Sequence, residues 1–486
     1  MKENINDNIS DEAQINLDYL KELLKDNSDI IFREFYISNW KGVLIYIDGM
    51  TDKILLDDYV LETLMVMGDK VDKVTDIKER LLTVTDVKEF SSMADGVKYA
   101  LSGDCIIFID GLKVCYVLGT RTWNARGVTE PSSETVVRGA RESFTETIRF
   151  NTVLVRRKIR DTRFKLELKS YGIRSKTDVA IMYIDDIVNK EVLKELRARL
   201  EKVNIDAILD SGYIEQIIED NKWTPFPQIQ STERPDVVAA GLYEGRIAIL
   251  VDNSPFALIV PAALPVFFQS PDDYYQRWFT SSIVRIIRFT AILLSLLLPS
   301  LYIAISSFHT EIIPIKLAYS IAASRVGVPF PAFVETLIME LSLAFLLEAV
   351  VRLPRPIGST IGIVGGLIIG QAAVSAGIVS PIMIIIVSIT AITNFVVPNY
   401  EVSSALRVIR ILLIILSSII GLYGIMLGGI IVLIHLIKLE SFGIPYLSPL
   451  VNPDISDFKD LFIRMPMCFF KKRPVYLKTG DKIRQK

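Results

Sequence analysis

RIIRFTAILLSLLLPSLYIAIS, residues Arg285 to Ser306, divides the chain into two unlike halves. Charge is dense before it and thins sharply after Arg288. From Phe289 to Ser306 the run is almost wholly apolar and just long enough to cross a bilayer, and Arg277, Arg285 and Arg288 set its basic flank on the cytoplasmic side. The formal net charge of −2 over 486 residues is therefore an average of two different regions, and it argues for no nucleic acid partner. Three cysteines without metal-type spacing and only two histidines, His309 and His435, point to no disulfide framework, no metal site, no cofactor and no histidine base. The opening MKENINDNISDEAQINLDYL has no apolar core of the signal-peptide kind, so residues 1–29 read as a flexible polar N-terminus and the first large domain as cytoplasmic.

The charged half carries four similar runs: GVLIYIDGM ending at Asp48, DCIIFIDGL at Asp110, VAIMYIDDI at Asp185 and RIAILVDNS at Asp252. Continuous β-branched and aromatic runs closed by Asp-Gly or Asp-Asn predict buried strands followed by tight turns. Helical patterns separate them, including a stripe of Val188, Val192, Leu193, Leu196 and Leu200. The expectation is α/β packing in two related subdomains, one over residues 30–122 and one within 123–275 behind an arginine-rich connector. No nucleophile, base or phosphate loop accompanies the aspartates, so they read as turn residues and the chain as a non-enzyme.

The connector interleaves arginines with acids in a way that places opposite charges on neighbouring helical turns. Glu130, Glu134, Arg138, Arg141, Glu142, Arg156 and Arg157 are candidates for bidentate pairing. Subunit contact and interdomain glue are both open readings.

In the apolar half, residues 276–440, about five or six segments are long enough to cross a membrane. VPFPAFVETLIMELSLAFLLEAVV follows the first; Ile357 to Val397 allows two crossings; Ile411 to Ile437 reads as one long span. That makes five, whereas a cytoplasmic N-terminus and a basic tail over 441–486 require an even number. Gly358, Gly362, Gly366 and Gly370 form a strip without side chains, suited to tight packing or to lining a pore. Glu348 has Arg352 four residues on, whereas Glu340 has no local cation and reads as a functional or buried acid.

EPSSETVVRGARESFTETIRFNTVLVRRKIRD, then RVGVPFPAFVETLIMELSLAFLLEAVVRLPRPIGSTIGIVGGLIIGQAAVSAGIVSP and VVPNYEVSSALRVIR, together resemble the A subunit of GerA-type spore germination receptors. The family more typically reads Arg-Gly-Pro-Arg-Glu-Gly where this chain has RGARES. The resemblance implies a cytoplasmic two-part domain and a multispanning region in the spore inner membrane. It also implies assembly with a transporter-like B subunit and a lipoprotein C subunit, and a homo-oligomeric ring that conducts cations when a nutrient binds. On that reading Gly362, Val364, Gly366 and Gly370 are pore or gate candidates and Glu340 a cation-attracting group, in contact with membrane lipid outside. A nutrient transporter, or a cytoplasmic nutrient-binding module on a membrane anchor, are the alternatives.

Overall fold

The computed structural model describes residues 5–122, 130–352, 366, 368, 370–451 and 457–485. Its α/β region holds two five-stranded antiparallel sheets built on one plan. β1 (Ile30–Ile37), β2 (Trp40–Ile47), β3 (Val87–Phe90), β4 (Cys105–Ile109) and β5 (Cys115–Leu118) lie in the order β1-β2-β4-β5-β3. β6 (Phe164–Tyr171), β7 (Thr177–Ile184), β8 (Gln230–Thr232), β9 (Ile247–Val251) and β10 (Ala257–Val260) repeat it as β6-β7-β9-β10-β8. The four expected strands are β2, β4, β7 and β9, all interior. Chain reversal follows β2, β4 and β9 at positive φ, 83° at Gly49, 87° at Gly111 and 67° at Asn253, which glycine and asparagine tolerate best.

The repeat extends to single atoms. Helix α1 (Ala13–Leu23) and helix α3 (Ile148–Arg156) start under equivalent aspartates: Asp110 Oδ1 accepts from Ala13 N at 2.6 Å and Asp252 Oδ1 from Ile148 N at 3.0 Å. Each carboxylate satisfies a first-turn donor that the helix cannot satisfy itself. One turn on, buried Asn16 accepts from Ser10 N and donates to Ser10 O at 2.9 and 2.7 Å, and buried Asn151 does the same with Thr145 at 2.8 and 2.6 Å.

Both faces of each sheet are covered. α1 and α2 (Met93–Ala100) pack on one face of the first sheet, and short helical turns between Lys53 and Arg80 on the other. On the second sheet α3 shares a face with α6 (Pro235–Glu244), opposite α4 (Lys190–Glu201) and α5 (Ser211–Ile218). Two expectations change here. The segment read as a flexible N-terminus forms α1, because Ala13, Leu17 and Leu20 fall on one helical face and bury completely against the sheet. Among its described residues the connector is helical only over α3; residues 130–147 run without regular secondary structure.

The second half is a bundle of α7 (Trp278–Ser307), α8 (Ile315–Ser324), α9 (Ala332–Arg352), α10 (Pro381–Phe395), α11 (Tyr400–Ile420) and α12 (Leu422–Lys438). Its burial is reversed relative to a water-soluble bundle. The hidden face of α7 carries Ser281, Ser282, Ser295, Ser300 and Ala304, while Ile286, Ile287 and Leu293 stand exposed. On α12 Gly424 and Gly428 are inside, with Tyr423, Met426, Ile430 and Leu433 outside. Such a surface suits hydrocarbon, where small residues pack helices and large apolar ones face lipid. Among the described residues, α7 and α11 are long and apolar enough to cross a membrane unaided; α10 and α12 are apolar but shorter, with 15 and 17 residues.

The last apolar block, expected as one long span, is instead a helical hairpin. Gly421 (φ 61°) separates α11 from α12, and the helices approach so closely that a Cβ on Gly424 would lie 2.2 Å from the Leu416 carbonyl oxygen. The turn sits beside Phe308 at the end of α7, the end remote from the α/β region. α9 and α10 both start at that end, since Glu335 Oε2 accepts from Ser380 N at 2.9 Å, and Leu347 and Phe395, towards their other ends, line one small cavity. The connection from Arg352 to Ser380 therefore joins opposite ends of the bundle. α12 returns to the α/β region, where His435 meets Thr224 Oγ1 at 2.8 Å. The tail beyond it is folded down too: Arg473 Nε donates to Tyr243 O at 2.8 Å and Gly480 N to Ile187 O at 3.0 Å.

Candidate functional site

A chain of polar side chains crosses the apolar bundle. Arg410 on α11, 2% exposed, donates from Nη2 to Glu340 Oε2 on α9 at 3.1 Å and from Nη1 to Ser295 O and Oγ on α7 at 3.0 and 3.2 Å. Ser295 Oγ donates to Asn394 Oδ1 on α10 at 3.3 Å, and Asn394 Nδ2 to Ser403 Oγ at 2.8 Å. Four helices are thus joined at one level. A charge in hydrocarbon is costly unless paired, which makes the pair a fixed point of the bundle. Glu340 therefore has a cation, brought from 70 residues away by the fold. Glu335 is likewise paired, with Arg325 at 3.3 Å, and Glu348 with Arg352 at 2.6 Å as its spacing predicts.

The glycine strip divides. Gly358, Gly362 and Val364 lie outside the described residues. Gly370 is buried, with Ile384 at 3.8 Å from its Cβ position, whereas at Gly366 nothing described lies within 4 Å and Ile368 beside it is exposed.

The connector residues also divide. Arg156, 1% exposed, makes two hydrogen bonds to Asp29 at 2.9 and 2.6 Å and one to Asn27 Oδ1 at 2.8 Å, and lies 4.5 Å over the Phe164 ring, so it clamps one subdomain to the other. The EPSSE stretch docks on the second subdomain: Ser132 N and Ser133 Oγ donate to the Glu233 carboxylate at 2.7 and 2.9 Å. Glu134 accepts from Thr232 Oγ1 at 2.5 Å, and its burial pushes its carboxyl up to about 7. Glu142 pairs with Arg157 and Lys158 at 3.4 and 2.9 Å. At the Arg138-Gly139 step the chain passes so near Tyr275 that a Cβ on Gly139 would lie 2.6 Å from the ring. Arg138, Arg141 and Glu130 remain exposed, the last two paired at 3.1 Å.

The α/β region grips the start of α11 as well. Ser231 Oγ donates to Glu401 Oε1 at 3.2 Å, and Glu401 stands near Glu215 and Glu219. Burial first, and then the Glu401 charge, push Glu215 up to about 8 and Glu219 up to about 7, so the acids share protons near neutrality. Sequence reading missed Arg410, Asn394 and this acid group. An arginine within the apolar part of α11 was the one signal, since a buried guanidinium must find a partner.

The Bacillus/Clostridium GerA spore germination protein family matches residues 18–476. Spore germination protein GerLA of Bacillus cereus is 40% identical over 466 residues, 95% of this chain and 95% of the relative. Spore germination protein B1 of Bacillus subtilis (strain 168) is 42% identical over 489 residues, 98% of this chain and 100% of the relative. A crystal structure of the N-terminal domain of the A subunit of the Bacillus megaterium spore germinant receptor GerK3 is 37% identical, with a TM-score of 0.43, covering 54% of this chain and 99% of that one. With the family matched over nearly its whole length, this chain belongs to the Bacillus/Clostridium GerA spore germination proteins.

Proposed function

We propose that this chain is the A subunit of a nutrient receptor in the spore inner membrane, and that several copies form a nutrient-gated cation channel that triggers germination. Transporter-like B and lipoprotein C subunits are its partners on this reading, and it acts without catalysis. The reversed burial of the bundle supports a multispanning placement. The end of α12 returns to the α/β region, from which α7 sets out, and positive-inside flanks at Arg277, Arg285 and Arg288 support a cytoplasmic side for that region.

One observation carries the oligomeric reading: the open face at Gly366, beside exposed Ile368, which no described part of the same chain covers. A near-naked helical face in lipid gains most by packing against another helix, and copies of itself around an axis satisfy every subunit alike. On this reading Gly362, Val364 and Gly366 border the axis, while Gly370, packed on Ile384, backs that face onto α10. Arg410 neutralises Glu340 in the structure, so Glu340 serves the ion path in a second packing where the pair opens. Nutrient bound by a partner can favour that packing only through its differential affinity for the two states. The contacts Ser231–Glu401 and Thr224–His435 tie the α/β region to both ends of the α11–α12 hairpin, which gives a route for the change.

Gly366→Leu tests the reading in spores. It is expected to abolish nutrient-triggered potassium release while the receptor accumulates and assembles normally. Normal release from assembled Gly366→Leu receptor rejects the pore assignment.

A further inference from the structure

A cavity of about 600 Å³ opens where the α/β region, the approach to α7 and the break between α10 and α11 meet. Its acids are all engaged: Asp236 accepts from Arg234 and Tyr275, Glu244 lies 3.3 and 3.7 Å from Arg246 and Arg484, and Glu134 bonds Thr232. Its arginines are engaged too, with one exception. Arg246 and Arg484 share Glu244, and Arg288 makes two hydrogen bonds to Asp273 at 2.9 and 3.2 Å. Arg407, half-buried in the wall, has no hydrogen bond or ion pair among the described residues. A guanidinium carries five donors in a planar fork, and leaving it unpaired in a partly dry wall is costly.

The surroundings choose the missing partner. Asn399, Tyr400 and Ser403 bring the N-terminal turn of α11 to the same wall, adding the positive end of a 21-residue helix. At the mouth Phe395 and Tyr400 are 68% and 73% exposed, the point at which the apolar surface of the bundle gives way to the polar domain. With the bundle placed in a membrane as proposed above, phosphates of the bilayer lie at that level, with acyl chains below.

We infer that the cavity binds a phosphate ester, that of an anionic phospholipid headgroup, with Arg407 as the bidentate partner and the acyl chains along Phe395. The inference rests on membrane placement and not on conduction. It gives the junction between domain and bundle a lipid that both halves touch.

The test uses the full chain purified in mild detergent, with phosphatidylglycerol retention read by native mass spectrometry. Wild-type protein is expected to retain phosphatidylglycerol over phosphatidylcholine, and Arg407→Gln to lose roughly tenfold or more of that retention, the scale of charge-assisted hydrogen bonds. Ala240→Trp, which fills the cavity from the α/β side while keeping the Arg407 guanidinium, is expected to lose retention equally, and so separates occupancy from any misfolding of the Arg407 variant. Unchanged retention in both variants overturns the site. Displacement by inorganic phosphate as effective as by added phosphatidylglycerol overturns the lipid assignment in favour of a soluble anion. Loss of the oligomer in Arg407→Gln with lipid retention intact assigns the guanidinium to a neighbouring copy and also overturns it.

Discussion

Arg410 shows how much a single side chain can hold in a medium without water. Removing one member of a buried pair leaves the other charged and dry, at a cost of about 3–5 kcal/mol, whereas replacing both with apolar residues is often near neutral. Arg410→Met is therefore expected to lower the unfolding midpoint of the detergent-solubilised chain strongly, and Arg410→Met with Glu340→Leu to recover most of the loss. Additive losses in that double-mutant cycle would show that the 3.1 Å contact carries no coupling. Half of this pair was legible: an acid in an apolar helix announces itself. Its partner was not, because Arg410 sits in another helix and only tertiary packing brings the two together. The same holds for Arg156, whose charge was plain in the sequence and whose clamp on Asp29 depends on how two subdomains dock.

Long buried runs were readable, but burial alone was not enough, since β5 and β10 are interior and fully buried yet, at four residues each, carried no signal. β2, β4, β7 and β9 lie inside the sheets and are continuous apolar runs, so their sequences carry a strong signal. The edge strands β1, β3, β6 and β8 alternate or are short, as VKEF and QST are, and gave none. The α11–α12 hairpin was hidden because Gly421 lies in an apolar run that also contains packing glycines. There the close approach predicts a sharp contrast: Gly424→Ala must displace a backbone carbonyl 2.2 Å away and should cost about 1–3 kcal/mol in thermal or denaturant unfolding, whereas Gly429→Ala, with nothing within 4 Å, should be neutral. Equal tolerance would mean the helices are not packed at that distance. The junction of α5 with α11 should respond to pH. Glu215 is held above its ordinary range by burial and by Glu401, Glu219 and Asp210, so the folded state binds the extra proton between the unfolded value and about 8. Stability is then full below that window and falls as pH rises through it. Hydrogen exchange at α5 and the start of α11 is expected to quicken from about pH 5 to about pH 9 and to lose this dependence in Glu215→Gln. Exchange that slows with rising pH, after correction for intrinsic rates, would reverse the assignment.

At the scale of the whole molecule, two repeats of one α/β plan stand on a bundle whose outer surface suits lipid, and the tail folds back so that both ends of the bundle chain emerge on one side. The sequence's dense charge before Arg285 and its apolar stretch after it made that division legible, whereas the turn at Gly421 that folds the last apolar block into a hairpin became clear only from the structure. No described residue covers the face at Gly366, and a ring of copies around a cation path is the proposal that covers it. Single-channel recording from the purified receptor, this chain with its partner subunits in a planar bilayer, decides that proposal. Nutrient-dependent stepwise cation current that vanishes when this chain is omitted is the predicted result. Nutrient binding with no current, or the same current from the partner subunits alone, would contradict it.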